Sequence, residues 1–436
     1  MNAMKNAASE TFLNDLRRAA AETLPEAHPM GMSRERPLRA MRADRNRGAR
    51  AVIRLVRYNG VLDWELSPPR GQPGQLLSPG RRAKALGVGA EVVDEIDFEA
   101  LPQSEVWSWL TALDRKLTPN QGLRELSGGA FVNGARPKPK GRLLLLVHGT
   151  FSDSDVILRG LQSTDRGKAF LETARSAYDQ VLAFDHPTVS VSPFLNALDL
   201  SRQLAATDAE IDVICHSRGG LVVRWWLDVL DRDRTQLRRA VFFGAPLAGT
   251  SLAAPPKLRR ALGFLSNVGE AAAVGLTAVG GGVPLTIFIT GLLKVAFSMI
   301  SFTSAVPIAD AALAMIPGLG AQSRVGNNAE LQKLLLAPVG PSRKYAIVTS
   351  NFEPTAVGWR FWKLFQKERL ADAAADWLFD GPNDLVVDTP SMADFGKGQK
   401  LPKASRMDFG TNPTVHHLNY FVQPEAIEFV EGMFRK

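Results

Sequence analysis

Ser217 is the residue of this chain best placed by its surroundings to act as a nucleophile. It stands in Ile211-Asp-Val-Ile-Cys-His-Ser-Arg-Gly-Gly220, an apolar run that enters a glycine-bounded turn, and the helical pattern Leu221-Val-Val-Arg-Trp-Trp-Leu227 follows. On a sharp strand-to-helix turn the serine hydroxyl is pushed clear of the backbone, while the amides that open the helix point at any oxyanion formed beside it. The turn departs from Gly-x-Ser-x-Gly at its first position, where Cys215 stands, and keeps Gly219 at the last. Cysteine is small enough for the helix to pass close by; a branched residue is not. Taken alone, the segment also reads as a plain chain reversal, so a base and an acid have to be found.

The chain has six histidines, at positions 28, 148, 186, 216, 416 and 417. His28 lies in a polar tail. His148 closes the apolar run Leu143–Val147, the turn directs the His216 ring away from the serine, and His186, in Phe184-Asp-His-Pro-Thr188, reads as a shaper of a pocket rim. That leaves His416 and His417 in Thr414-Val-His-His-Leu-Asn-Tyr-Phe421 as candidate bases. Carboxylates for orienting such a base occur at Asp380, Asp384 and Asp388, in and just after Phe379-Asp-Gly-Pro-Asn-Asp-Leu-Val-Val387.

The elements that must position these residues are short apolar runs of the buried parallel-strand type: Leu143–Val147, Val181–Phe184, Ile211–Cys215, Ala240–Phe243 and Tyr345–Val348. The first runs into His148-Gly-Thr-Phe151, and the fourth into Gly244-Ala-Pro-Leu-Ala-Gly-Thr250, where Gly244, Pro246 and Gly249 fix a bend. In this order and spacing, over about residues 140–432, the segments resemble the α/β-hydrolase superfamily, and within it the bacterial lipase- and esterase-like serine hydrolases. The resemblance implies an α/β fold, a mostly parallel sheet flanked by helices, with an apolar helical lid insertion and a small N-terminal accessory region.

It also implies roles. The superfamily's chain order of serine, acid, histidine makes Ser217 the nucleophile. The likeness of His417-Leu-Asn-Tyr-Phe421 to the His-x-Asn-Tyr-Phe of some bacterial lipase-like proteins selects His417 as base, with His416 as fallback. Asp384 before Leu-Val-Val resembles the lipase acid, and Asp380 and Asp388 compete with it as turn or surface carboxylates. His-Gly-x after the first core strand implies an oxyanion hole of two backbone N–H groups, those of Thr150 and Arg218, with Phe151 the neighbour most easily confused with Thr150. The implied function is a serine carboxylic ester hydrolase, lipase- or phospholipase-like, working through an acyl-enzyme. A thioesterase or acyltransferase would use the same triad, as would an amidase. In a different class, the fold would serve as the scaffold of a membrane-interacting protein.

Composition sets the frame. The chain has 436 residues, 45% of them hydrophobic, enough for one large α/β domain with additions. A single cysteine excludes an intramolecular disulfide framework, and no His/Cys/Asp cluster has metal-ligand spacing, so neither metal nor cofactor is expected. Residues 1–24 lack the apolar core of a secretory signal, which makes cytoplasmic residence the default, with membrane association open. Of the net charge of +8, most comes from nine arginines between Arg34 and Arg57, set against Glu35 and Asp44. Such a stretch reads as a solvated leader or as a dock for anionic headgroups. Nucleic acid is not the expected partner, because no aromatic residues interleave with the arginines for base stacking. The expected partner is an acyl ester or lipid.

The expected divisions are an Arg-rich flexible leader at 1–50, an accessory α+β region at 51–136 and the hydrolase domain at 141–436. Within the last, residues 251–319 form an apolar lid or cap. Residues 271–293 carry no charge, and the apolar character continues past Lys294 to Ala309, long enough to span a bilayer but interrupted by several glycines and Pro284. A lid over the serine is one reading and a membrane-inserting hairpin another; the lid, and the insertion with the Arg-rich leader, would give transient contact with a membrane surface.

Overall fold

The computed structural model describes residues 2–23, 28–29, 50–58, 60–67, 91–99, 105–253, 258–273, 286, 289–290, 293, 316–324, 326, 328–340, 342–354, 378–379, 381–397 and 399–435. The chain divides into two compact units. The smaller comprises Met1–Trp109, Pro255–Met315 and Ala356–Phe365; the larger comprises Leu110–Ala254, Ile316–Thr355 and Gln366–Lys436.

In the smaller unit, strands β1 (His28–Pro29), β2 (Arg50–Tyr58), β3 (Val61–Ser67) and β4 (Glu91–Glu99) form an antiparallel sheet in the order β1-β4-β2-β3. Val61 follows Gly60, whose φ of 81° is the left-handed turn geometry that glycine adopts without strain. The helix Leu258–Ala273 packs on β3 and on the N-terminal helix Asn2–Thr23. Its apolar side, Leu262, Phe264, Leu265 and Val268, is buried, as are Leu55, Leu62 and Trp64 of the sheet and Phe12 and Leu16 of the N-terminal helix. Polar contacts fix the register. Asn267 accepts from the Leu62 amide at 3.0 Å and donates to the Leu62 carbonyl at 2.8 Å, Trp64 Nε1 donates to Ser266 Oγ at 2.9 Å, and Arg57 grips Glu270 through both terminal nitrogens at 2.6 and 3.1 Å.

Three expectations change accordingly. Residues 2–23 of the leader are helical rather than flexible, because Phe12, Leu13, Leu16, Ala19 and Ala20 give that helix a buried face. The accessory strands and the start of the apolar insertion belong to one unit, and Arg57, counted with the basic leader, is used inside it. The rest of the Arg-rich stretch up to Ala49, and most of 274–315, lie outside the described residues. Among the described residues no helix is long and apolar enough to cross a membrane.

The larger unit is built on an eight-stranded sheet of β5 (Gly122–Ser127), β6 (Ala130–Asn133), β7 (Arg142–Val147), β8 (Gln180–Asp185), β9 (Glu210–His216), β10 (Arg238–Phe243), β11 (Arg343–Phe352) and β12 (Arg406–Asn412), in the order β12-β11-β10-β9-β7-β8-β5-β6. From β12 to β8 every pair is parallel, while β5 is antiparallel to both β8 and β6. Only one strand therefore runs against the rest, and that arrangement is the α/β-hydrolase fold. The hairpin β5–β6 places residues 122–133 in this sheet, so the accessory region read as 51–136 is shared between the two units.

Alternation along the strands explains the apolar runs. Leu143, Leu145 and Val147 of β7 join Val213, Cys215 and Phe242 in one buried layer, and Leu144 and Leu146 join Ile214, Val241 and Phe243 in the other. Both faces of the sheet are covered by helices, so both faces of each central strand must be apolar.

Asn267→Leu would leave the Leu62 amide and carbonyl without their partner. Two stranded buried groups are expected to cost about 2–4 kcal/mol, read as a lowered midpoint in urea or thermal unfolding of the full chain.

Candidate active site

The loops that leave the carboxyl ends of β7, β9, β11 and β12 carry the residues singled out by the sequence. This is the end of a parallel sheet where side chains from separate strands converge. After β9 the backbone reverses at Ser217, whose φ of 54° puts a non-glycine residue in the left-handed region. The Ser217 amide donates to the Phe243 carbonyl of β10 at 2.9 Å, and the helix Gly219–Trp225 starts at once. So abrupt a turn needs residues without side chains around it. A Cβ on Gly219 would lie 2.5 Å from the His148 carbonyl oxygen, one on Gly149 would lie 2.7 Å from Ser217 Cβ, and one on Gly220 would lie 2.5 Å from Ala245 Cβ. Cys215 is fully buried, with Sγ 3.5 Å from the Val241 carbonyl oxygen, which explains why a small residue suffices there.

Asp384 and His417 meet across two loops. His417 Nδ1 lies 2.8 Å from Asp384 Oδ2, and the His417 amide donates to the Asp384 carbonyl at 2.8 Å. A carboxylate only accepts, so the ring donates from Nδ1 and its basic nitrogen is Nε2. Asp384 Oδ1 accepts from the amides of Val386 and Val387 at 3.2 and 2.9 Å, and Oδ2 takes a second bond from the Tyr420 hydroxyl at 2.9 Å. The carboxylate is completely buried. Leu385, with φ of 92°, makes the tight reversal that brings both amides onto it.

His417 reaches the elbow through His216. The two rings lie 4.7 Å apart, and His216 Nε2 donates to the His417 carbonyl at 2.8 Å. Among the described residues Ser217 Oγ forms no hydrogen bond with the ring; such contacts are commonly long before substrate binds and tighten in the complex. His416 faces the other way. Its ring stands edge-on to Phe352 at 5.3 Å, its Nδ1 accepts from the Leu418 amide at 3.3 Å, and it makes no bond to Asp384. Burial pushes His416 down to about 4 and His216 to about 3, the latter helped by His417 beside it, so both rings are neutral near pH 7.

The loop after β7 is fixed just as closely. His148 Nδ1 donates to the Gly149 carbonyl at 2.8 Å and Nε2 accepts from the His186 amide at 2.9 Å, which uses both ring nitrogens. His186 stacks on it at 4.1 Å and is wholly buried, so it lies beneath the loop rather than at a rim. The Phe151 amide is taken by Thr188 Oγ1 at 3.2 Å, whereas the amides of Thr150 and Arg218 have no acceptor among the described residues. Thr188 is itself held by Asp114, which accepts from the amides of Thr188, Val189 and Ser190 and from the Ser190 hydroxyl, all within 2.9 Å. The guanidinium of Arg218 turns inward to the Val191 carbonyl at 2.5 Å, and burial brings its pKa down to about 10.

Of the competing carboxylates, Asp388 binds the amide and hydroxyl of Ser251 at 2.9 and 3.2 Å, and Asp380 lies outside the described residues. From the sequence no part falls to Tyr420, Asp114 or Thr188, and to Gly244 only a bend. Tyr420 lies inside the motif His417-Leu-Asn-Tyr-Phe421; Asp114 carries no local signal, since its side-chain partners are more than 70 residues away. Among the described residues no cluster of histidine, cysteine or carboxylate side chains could hold a metal ion.

Strand order and elbow together give the larger unit the α/β-hydrolase fold. The chain belongs to the family described as a domain of unknown function, DUF7379, whose model matches residues 120–435. No curated protein matches the chain. Among solved structures it is similar to a lipase of Bacillus licheniformis in mature form, at 13% identity over 67% of this chain and 94% of that one, with a TM-score of 0.38. It is also similar to lipase 1 of Pelosinus fermentans, at 12% identity over 67% and 97% with a TM-score of 0.41, and to a thermophilic esterase of Thermogutta terrifontis, at 14% over 68% and 90% with a TM-score of 0.34.

Gly244 has φ of 53°, and a Cβ there would lie 2.8 Å from Asp384 Oδ2 and 3.0 Å from His417 Nδ1. Gly244→Ala is expected to destabilise the fold by about 1–3 kcal/mol and to spread the Asp384–His417 pair. The measurement is the downfield proton resonance of His417 Nδ1–H, which should shift or vanish in the folded variant.

Proposed function

We propose that this protein is a serine hydrolase of carboxylic esters in which Ser217 is the nucleophile, His417 the general base and Asp384 the residue that orients it. The observation that carries the reading is the buried Asp384–His417 pair, its carboxylate holding four hydrogen bonds, together with the strained turn that presents Ser217. As Ser217 Oγ bonds to the acyl carbon, its proton passes to His417 Nε2, while Nδ1–H stays on its nitrogen and is held by Asp384. The carbonyl oxygen becomes an oxyanion, for which the Thr150 and Arg218 amides, without an acceptor among the described residues, are the donors; the use of the Phe151 amide by Thr188 favours Thr150. Collapse breaks the ester C–O bond, His417 protonates the departing alkoxide, and water repeats the sequence on the acyl-enzyme. The neutral His416, turned toward Phe352, and His148, with both nitrogens engaged, are poor alternatives as base.

The acyl group is read as long and apolar, because residues 271–293 carry no charge in a chain of which 22% of all residues are charged. Along a series of p-nitrophenyl esters kcat/KM is expected to rise from acetate toward medium and long chains; a maximum at acetate would contradict this reading.

The chemistry is tested by labelling with a fluorophosphonate. Wild-type protein should label at one serine, Ser217→Ala should not label, and His417→Ala should label about 10²–10⁴ times more slowly. His416→Gln, checked by circular dichroism to be folded, should label near the wild-type rate. Failure of the wild-type protein to label, in the presence of detergent or lipid as well, would move the fold to a scaffold role.

A further inference from the structure

The acid of the proposed triad has a partner the reaction scheme does not use. Asp384 Oδ2 takes two hydrogen bonds, from His417 Nδ1 at 2.8 Å and from the Tyr420 hydroxyl at 2.9 Å. The phenol is completely buried, its ring set edge-on between Phe243 and His417 and tilted against Phe409. Hydrophobic packing alone would be served by phenylalanine, which is what stands next in the chain at Phe421. A hydroxyl at such depth has to be placed against an acceptor, and here it is placed on the one oxygen that controls the base.

We propose that Tyr420 is a positioning residue that sets the basicity of His417 by sharing the charge of Asp384 Oδ2. The proposal rests on the serine-hydrolase reading above. Each donor on a carboxylate oxygen draws off part of its charge, and a charge-assisted bond of this kind is among the stronger ones in a protein interior. With Tyr420 donating, less of the charge on Oδ2 is left to hold a proton on His417, so the imidazolium is less favoured and the ring stays a free base to lower pH. Without the hydroxyl, Oδ2 would attract the imidazolium more strongly. The hydroxyl also fixes the carboxylate plane, since Oδ1 is held by two amides and Oδ2 by two side chains.

Other titratable groups face this cluster. His216 comes from β9, with His148 behind it, His416 from the same loop as His417, and Asp408 from β12. His216 and His416 are already neutral above about pH 3 and 4, held there by burial, so neither supplies a titration near neutrality. Burial, with the charges of Asp384 and Asp408, holds the Tyr420 phenol well above the usual tyrosine range. It therefore remains a donor throughout the range in which a triad works.

The test is the second-order rate of fluorophosphonate labelling of the full chain against pH. In Tyr420→Phe, which keeps the ring packing, the acid limb is expected to move to higher pH by about half to one unit. Replacement of Tyr420 by 3-fluorotyrosine, a more acidic phenol of nearly the same shape, should move the limb the opposite way, to lower pH; it serves also if the phenylalanine variant does not fold. Limbs that coincide with the wild type in a folded variant would overturn the proposal while leaving the serine-hydrolase reading in place. A wild-type protein that does not label at all would overturn both.

Discussion

A buried carboxylate without a cation imposes the order of this site. Among the described residues no lysine or arginine pairs with Asp384; four hydrogen bonds hold it instead, two from backbone amides, one from His417 and one from Tyr420. An ionised group so placed is costly unless every lone pair is used. The requirement reaches outward. Asn383 must turn the chain, its side chain accepting from the Leu385 amide and its own amide donating to Asn351, while its carbonyl ties back to Phe352 at the end of β11. The loop after β12 must bring a ring and a phenol to the same oxygen, and Gly244 of the loop after β10 must lack a side chain for that oxygen to fit. Three loops are thus constrained by one group.

The elbow is the complementary constraint, backbone strain rather than charge. A left-handed serine costs on the order of 1–2 kcal/mol, and such strain persists only where the surroundings determine it. Here the Ser217 amide is tied to β10, and the glycines at 149, 219 and 220 let the neighbouring segments close to distances a Cβ would forbid. The loop after β7 is rigid for a different reason. Asp114 gathers three consecutive amides of the segment after β8, and Thr188 of that segment takes the Phe151 amide. A carboxylate from before the sheet therefore decides which amide of the His-Gly-Thr-Phe loop is left unbonded.

What was legible in the sequence follows the range of the interactions. The central strands announced themselves because a sheet covered on both faces demands unbroken apolar runs, and the elbow because a tight turn restricts residue types locally. The hairpin β5–β6 went unread. It is an antiparallel edge with only partial burial, and Arg124, in its middle, is a charge that looks solvated but is buried against Asp155 and Asp185. The joining of the N-terminal strands to the helix Leu258–Ala273 was equally invisible, since Asn267 and Leu62 are 205 residues apart and neither contact partner marks the other. Asp114 belongs with these: a carboxylate on a helix reads as surface until its donors, the amides of residues 188–190, are seen.

The two adjacent histidines show why residue type alone cannot assign a base. His416 and His417 are both almost fully buried, but in the turn closed by the Asn419 amide on the His416 carbonyl their rings meet different surroundings. One side offers Phe352 and leaves His416 Nε2 without a partner among the described residues, and burial favours the neutral ring. The other side offers Asp384, whose Oδ2 accepts from His417 Nδ1 and fixes the tautomer. The same division runs through the site: His148 is spent on backbone groups, His186 on stacking, and His216 on the His417 carbonyl. A base needs a ring with one nitrogen held by an anion and the other unused. Among the rings gathered at this end of the sheet, the geometry gives that combination to His417.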